Sequence, residues 1–340
     1  MRICLSLSRA HSRCAGKGCQ HQSECWLRNR CSGGAPTCYA EVLSRHPLFR
    51  PYLALVAVCF FWGTTYLGIR MALEAFPPLA LVSVRYIISG VIMLAFARAR
   101  GLYLPRGKEL AAACFSGFFT LTIGNGALVF AETLIPSGMA GLIITISPFW
   151  MVGMEALLPG GERLHAPTIG GMAVGLAGAA LLFTPDAGSH DINRHVLHGF
   201  LLLQIGMAGW SFGSIYQRRK AGKAHPVIAG AVQQLAAGLI LAPFALAIRE
   251  HPFYWSGRGI LALLYLVVFG SIVGYSAYAY SMDRLPVAIV SVYPYVNAVV
   301  AVTLGWLFYR EPFGRREALA MAVIFAGVAL VKRYSRRPAT

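Results

Sequence analysis

The sequence predicts an all-α polytopic membrane protein: ten transmembrane helices arranged as two inverted five-helix repeats. Three observations lead there. The 340 residues are 57% hydrophobic and only 13% charged, with a mean hydropathy of +0.60, whereas soluble domains carry roughly 25% charged residues. The charges fall at intervals that leave apolar runs of membrane-crossing length. A frame of residues from the first half recurs in the second: Trp62 and Arg70 stand eight apart, and so do Trp210 and Arg218, each 148 positions later.

The uncharged runs set the elements in order. They span 51–69, 110–131, 133–154, 164–185, 195–217, 224–248, 259–282 and 285–309. Most are long enough, at about 1.5 Å per residue, to cross a hydrocarbon core about 30 Å thick. Two further spans complete ten. Residues 78–97 are apolar around a central Arg85, and 318–331 is short, with Lys332 and Arg333 placed to snorkel outward.

The formal net charge of +17 is distributed by topology and does not point to nucleic acid. With the first end placed inside, 22 of the 30 Lys and Arg fall on the inner side, 7 on the outer side, and Arg85 lies within a span. By the positive-inside rule both ends are cytoplasmic. An odd number of spans in each half makes the second copy enter from the opposite side.

Residues 1–46 differ from the rest, with Cys4, Cys14, Cys19, Cys25, Cys31 and Cys38 among scattered Arg, Ser and Gly. They contain no apolar core of a signal peptide and no CxxC pair of a zinc site. They read as a disordered tail, of the kind left by a start assigned upstream of a true one near Val42 or Leu43. The repeats themselves run over 52–184 and 197–333. Their frame continues through Pro78 and Pro226, Gly90 and Gly238, Gly124 and Gly274, Pro136 and Pro286, Glu162 and Glu311, and AGAAL at 177 with AGVAL at 326.

The stretches FFWGTTYLGIRMALEAFPPLALVSVRYIISG and YVNAVVAVTLGWLFYREPFGRREALAMAVIFAGVALV resemble the EamA-type branch of the drug/metabolite transporter superfamily. The resemblance covers about 52–333. It implies an inner-membrane carrier with two five-helix domains and cytoplasmic ends, whose relatives mostly export amino acids, other metabolites or toxic compounds. One departure stands in the ninth span. The family pattern Tyr-x-Tyr-Val-Asn-Pro is met by Tyr293, Tyr295, Val296 and Asn297, but Ala298 replaces the proline and Pro294 appears earlier. The first half keeps Pro148 at the aligned place. Proline kinks a helix and frees carbonyls, so the local geometry here is expected to differ from that of relatives.

Candidate site residues follow from polarity at membrane depth. A charge at mid-helix costs at least about 2.5–3.5 kcal/mol, so Arg85 faces a substrate anion, helix carbonyls, or Glu155, the one acid well inside another span. Its counterpart in the second half is Gln233. Thr122, Asn125 and Glu132 share a helical face, either lining a path or joining helices by hydrogen bonds. Trp62, Tyr66, Trp210, Tyr275, Tyr278, Tyr293 and Asn297 form a set suited to amphipathic or cationic ligands, although such aromatics also make interfacial belts. Substrate binding is therefore assigned to Trp62, Tyr66, Arg85, Asn125, Trp210, Tyr278, Tyr293 and Asn297, and proton coupling to Glu155 or Glu132. Glu162 and Glu311 read as helix caps or loop contacts.

No catalytic residue, metal or cofactor is expected. His190, His195 and His198 do not make HExxH, and the chain contains no Walker motif, so ATP is not the energy source. The expected function is a secondary transporter, an exporter of a small metabolite such as an amino acid or of drug-like compounds, working by alternating access around a midplane cavity. Its partners are the small-molecule substrate and the bilayer. The alternative is a membrane-embedded enzyme or lipid-handling protein, which would require a catalytic cluster at membrane depth.

Overall fold

The computed structural model describes residues 49–159, 166–181, 194–220, 222–248, 253–285, 287–290, 293–311 and 313–334. The N-terminal tail, Glu162, His190 and Pro286 lie outside them. Among the described residues the regular structure is entirely helical. Helix α1 is Phe49–Leu73, α2 Pro78–Ala99, α3 Lys108–Ala131 and α4 Ser137–Leu157. Helix α5 is Ala166–Leu181, α6 Arg194–Arg219, α7 Pro226–Ala247 and α8 Gly257–Arg284. A single turn, Val287–Val290, precedes α9, Tyr293–Tyr309, and α10 is Arg315–Tyr334.

Seven of these, α1 to α4 and α6 to α8, are long and apolar enough to cross a membrane. Over the described residues the other three do not reach that standard, for different reasons. Helices α5 and α9 have 16 and 17 residues, and α10, at 20 residues, carries charges at both ends. Leu53, Val56, Phe60, Ile92, Phe96, Leu201, Ile205, Leu261 and Leu264 point outward and are exposed. A face this apolar is costly in water and natural against lipid tails.

Prolines and glycines place the helix ends. Pro78 and Pro226 occupy the first turns of α2 and α7, where the missing N–H costs nothing. Helix α4 is interrupted at residues 145–146, and Pro148 opens its second segment, Ser147–Leu157. Pro294 likewise falls in the first turn of α9. The displaced proline of the ninth span therefore starts a helix, as Pro148 does, one turn earlier in its repeat.

Helices α3 and α8 each contain a π-helical segment, Phe118–Asn125 and Leu266–Gly274, at matching places in the two halves. Such segments widen the turn and re-aim side chains, often at functional sites.

The halves meet through reciprocal glycine contacts. A Cβ built on Gly90 of α2 would lie 2.7 Å from Leu235 N of α7, and one on Gly238 of α7 would lie 2.7 Å from Ile87 N of α2. Helices α5 and α10 repeat the arrangement, with Gly178 against Ile324 N at 2.8 Å and Gly327 against the Gly175 backbone. In both pairs the later residue of one helix meets the earlier residue of its partner, so the paired helices run antiparallel. Only glycine permits backbones this close, the packing mode that membrane helices favour in the absence of a hydrophobic driving force.

Candidate functional site

The first helices of the two halves bring Trp62 and Trp210 together, ring centroids 5.4 Å apart and nearly perpendicular. Each indole rests on a glycine of the π segment in the opposite half. A Cβ on Gly274 would lie 2.7 Å from Trp62 Cδ1, and one on Gly124 would lie 3.2 Å from Trp210 Cβ. Trp62 Nε1 donates to Gly270 O at 2.9 Å. Tyr278 and Tyr293 close the cluster, 5.0 and 5.3 Å from Trp62. Trp210 Nε1 donates to the Tyr278 hydroxyl at 3.2 Å, and that hydroxyl donates to Ser214 Oγ at 3.0 Å.

A cavity of about 80 Å³ lies on one side of this aromatic layer. Its wall includes Trp62, Tyr66, Arg85, Asn125, Trp210, Tyr293 and Asn297. Seven of the eight sequence-assigned binding residues therefore share one cavity. The eighth, Tyr278, lines the neighbouring vestibule, a space of about 280 Å³ whose mouth carries Glu109, Arg218, Lys220 and Asp283. Tyr275 contributes to both spaces. The central cavity is smaller than the roughly 300–1,000 Å³ usual for small-molecule sites, so this conformation is a contracted one.

Among the described residues Arg85 is the only charged side chain on the central wall, and it is 4% exposed. Its Nε donates to Ser271 Oγ at 2.7 Å, and its guanidinium lies 5.1 Å from the Tyr86 ring centroid. Among the described residues Nη1 and Nη2 make no hydrogen bond, and no acid forms an ion pair with them. Gly270 leaves room for the head group, since a Cβ there would lie 2.8 Å from Nη2. Behind Ser271 a buried chain fixes the geometry: Ser89 Oγ donates to Gln234 Oε1 at 2.5 Å, and Gln234 Nε2 donates to Ser271 O at 3.3 Å. Among the described residues Asn125 Oδ1, of a residue on the same wall, also has no hydrogen-bond partner.

The two halves differ at this place. Gln233, the counterpart of Arg85, faces the vestibule and accepts from the Tyr275 hydroxyl. The cationic site is therefore one-sided.

Some residues stand elsewhere than the sequence suggested. Glu155 does not meet Arg85. It lies in the last turn of α4, partly exposed, and pairs with Arg219 of α6 at 2.8 Å. Thr122, Asn125 and Glu132 do not line one path. Asn125 lines the central cavity, whereas Glu132 lines a separate space of about 550 Å³ on the opposite side, with Arg70, Glu74 and Tyr309. Asn297 is engaged in the wall: with its amide assigned in the orientation that satisfies its neighbours, the nitrogen donates to Cys59 O at 2.8 Å and Tyr293 O at 3.1 Å. Glu311 caps α4, accepting from Ser137 N at 3.0 Å, Ser137 Oγ at 2.8 Å and Gly138 N at 2.8 Å. At the vestibule mouth Tyr103 donates to Glu109 at 2.9 Å, and that bond raises the phenol above its usual pKa range.

Gly270, Ser271 and Gln234 were not singled out from the sequence. Serine and glycine in an apolar run read as packing residues, and only the π turn aims Ser271 at Arg85.

A model of the EamA-like transporter family matches this chain twice, over residues 49–184 and 197–333. The chain belongs to the EamA-like transporter family. Among relatives of this EamA protein, the "Uncharacterized inner membrane transporter YedA" of Escherichia coli is 36% identical over 289 residues, covering 84% of this chain and 90% of YedA. A protein of Streptantibioticus cattleyicolor named "Probable terminal-alkyne amino-acid exporter" is 24% identical, covering 82% of this chain and 92% of its own length. A solved crystal structure shares the fold with a TM-score of 0.63 at 24% identity, covering 84% of this EamA chain and 99% of the other. The chain is thus a polytopic membrane protein of a transporter family.

Proposed function

We propose that this EamA protein is a secondary exporter of small carboxylates or zwitterions such as amino acids. It would sit in the bacterial inner membrane with ten spans, two inverted repeats and both termini cytoplasmic. The antiparallel reciprocal contacts of α2 with α7 and of α5 with α10 support the inverted repeat. They are what a two-fold axis in the membrane plane produces, with the substrate site between the halves.

One observation carries the substrate class: a buried guanidinium whose Nη atoms are unengaged among the described residues, on the wall of a cavity those residues leave otherwise uncharged and rich in aromatics. Arginine presents a planar fork that matches a carboxylate in two parallel hydrogen bonds. Asn125 Oδ1 offers an acceptor on the same wall, suited to an ammonium group, and the indoles and phenols supply an apolar surface for the rest of the molecule. The amino-acid exporter among the relatives agrees with that class.

The aromatic layer of Trp62, Trp210, Tyr278 and Tyr293 is the barrier between cavity and vestibule. The vestibule opens toward the basic loops 98–108 and 218–225, which the charge bias makes cytoplasmic. Alternating access would part this layer while the opposite end stays closed by the Glu311 cap on α4.

The test is the melting temperature of the purified protein against amino acids, monocarboxylates, sugars, nucleosides and aromatic cations. A ligand at 100 times its Kd stabilises by about 2.7 kcal/mol. Hits among carboxylates that vanish in Arg85→Gln are the expected result. Hits confined to cations or sugars and indifferent to Arg85 would refute the assignment.

A further inference from the structure

The vestibule and the central cavity are built from the same positions of the two repeats. Arg85, Tyr66 and Asn125 line the central cavity, and their counterparts Gln233, Ser214 and Tyr275, at offsets of 148, 148 and 150, line the vestibule. Gly270, which makes room for the guanidinium, corresponds to Thr120, again on the vestibule wall. Trp62 and Trp210, themselves counterparts, line the central cavity, and Trp210 is hydrogen-bonded to Tyr278 of the vestibule. Two halves related by an axis in the membrane plane place a related binding space on each side of that axis.

The vestibule wall keeps the hydrogen-bonding character of the central site and drops its charge. Gln233 is 4% exposed, and its Oε1 accepts from the Tyr275 hydroxyl. Its amide nitrogen carries two N–H donors and among the described residues makes no hydrogen bond. Ser214 Oγ accepts from Tyr278 at 3.0 Å, which leaves its own hydroxyl hydrogen to give. Gln217 stands three residues beyond Ser214 on α6, on the same wall, and among the described residues its buried Oε1 has no partner. Buried polar groups are ordinarily satisfied. One unengaged donor and one unengaged acceptor on a shared wall suit a ligand that has an anionic end and a cationic end.

We propose that the vestibule holds a second, weaker binding site for the cargo, an entry site in which Gln233 takes the carboxylate and Gln217 the ammonium. The inference rests on the reading of the cargo as a zwitterion. An amide N–H is a neutral donor where the Arg85 fork is charged, so the carboxylate is held less tightly here, by about tenfold or more. The cargo then passes the aromatic layer to Arg85. The vestibule mouth carries both signs of charge, Glu109 and Asp283 with Arg218 and Lys220, so neither end of a zwitterion is turned away. The space of about 280 Å³ is near the lower end of the roughly 300–1,000 Å³ usual for small-molecule sites, whereas the central cavity is well below it.

The test is equilibrium dialysis of labelled L-phenylalanine against the full-length protein in detergent, carried well above the concentration that saturates the central site. The expected result is two molecules bound per wild-type chain, with unequal affinity. Arg85→Gln loses the tight one and keeps the other, a site too weak to shift the melting temperature at concentrations that saturate the central cavity of the wild type. Gln217→Leu loses the weak one alone. Because Oε1 has no partner to lose, that variant is expected to melt no lower than the wild type, which a merely structural glutamine would not allow. Gln233→Arg, made together with Arg85→Gln, supplies a guanidinium at the counterpart place and tightens the remaining site about tenfold or more. One molecule per wild-type chain, lost in Arg85→Gln, overturns the entry site and leaves the central site standing. A second molecule whose affinity ignores both Gln217→Leu and Gln233→Arg also overturns it. A weak site that responds to those two changes, beside a tight one indifferent to Arg85, upholds the entry site and removes the assignment of Arg85. No binding of L-phenylalanine to the wild type overturns the entry site and the zwitterion reading with it.

Discussion

A methyl group on Gly270 would lie 2.8 Å from Arg85 Nη2 and 3.0 Å from Thr65 Cγ2, so this position tests the site more cleanly than the fold. The guanidinium is the flexible end of a long side chain and can move aside, but only by leaving its place on the cavity wall. Gly270→Ala is expected to lower carboxylate affinity about tenfold or more, a loss of about 1.4 kcal/mol, while the melting temperature in detergent changes by no more than a few degrees. Calorimetric titration of the two proteins checks it. Ser271→Ala removes the one hydrogen bond that Arg85 makes among the described residues and is expected to cost affinity in the same assay, whereas Ser271→Thr keeps the hydroxyl and restores part of it. Arg85 itself was legible in the sequence because a charge amid apolar residues demands a reason. Its partners were not, because serine and glycine are common in packed membrane helices and only the backbone decides which face they present.

At the scale of the elements, the two π segments are what single-sequence periodicity could not supply. An α-helical reading places Thr122, Asn125 and Glu132 on one stripe, but Thr122 lies inside the π segment, and Glu132 stands two α-turns beyond Asn125, about 10 Å along the axis, beside a different space. The repeat frame was far more informative. The positions it aligned, Gly90 with Gly238 and Trp62 with Trp210, are the ones that meet their opposite half at close range. Packing between α2 and α7 should therefore respond in a paired way. Gly90→Leu and Gly238→Leu each push a side chain into the facing backbone and are expected to destabilise by at least the 1–3 kcal/mol or so typical of overpacking. The check is thermal unfolding of each variant against wild type. Glu311→Ala uncaps α4, a change worth about 0.5–2 kcal/mol, and hydrogen exchange is expected to rise at Ser137 and Gly138 with little effect at α2 or α7.

At the scale of the whole molecule, the apolar runs marked the helices to within a few residues at most ends. Their lengths did not show that α4 would break at 145–146. The halves are joined so that symmetric packing surrounds an asymmetric centre, with Arg85 on the cavity and Gln233 on the vestibule. Two related halves can exchange packing roles, while a single cation fixes what the site between them accepts. A carrier whose buried arginine holds the carboxylate of its cargo must lose that cargo with the arginine. The most direct measurement is exchange of labelled L-phenylalanine and benzoate across proteoliposomes loaded with the same unlabelled compounds, for wild type and Arg85→Gln. Exchange of at least one of the two in the wild type, abolished in a folded Arg85→Gln protein, is the expected result. Exchange that continues unchanged without the guanidinium, or proteoliposomes that exchange neither compound yet exchange an organic cation, would contradict it.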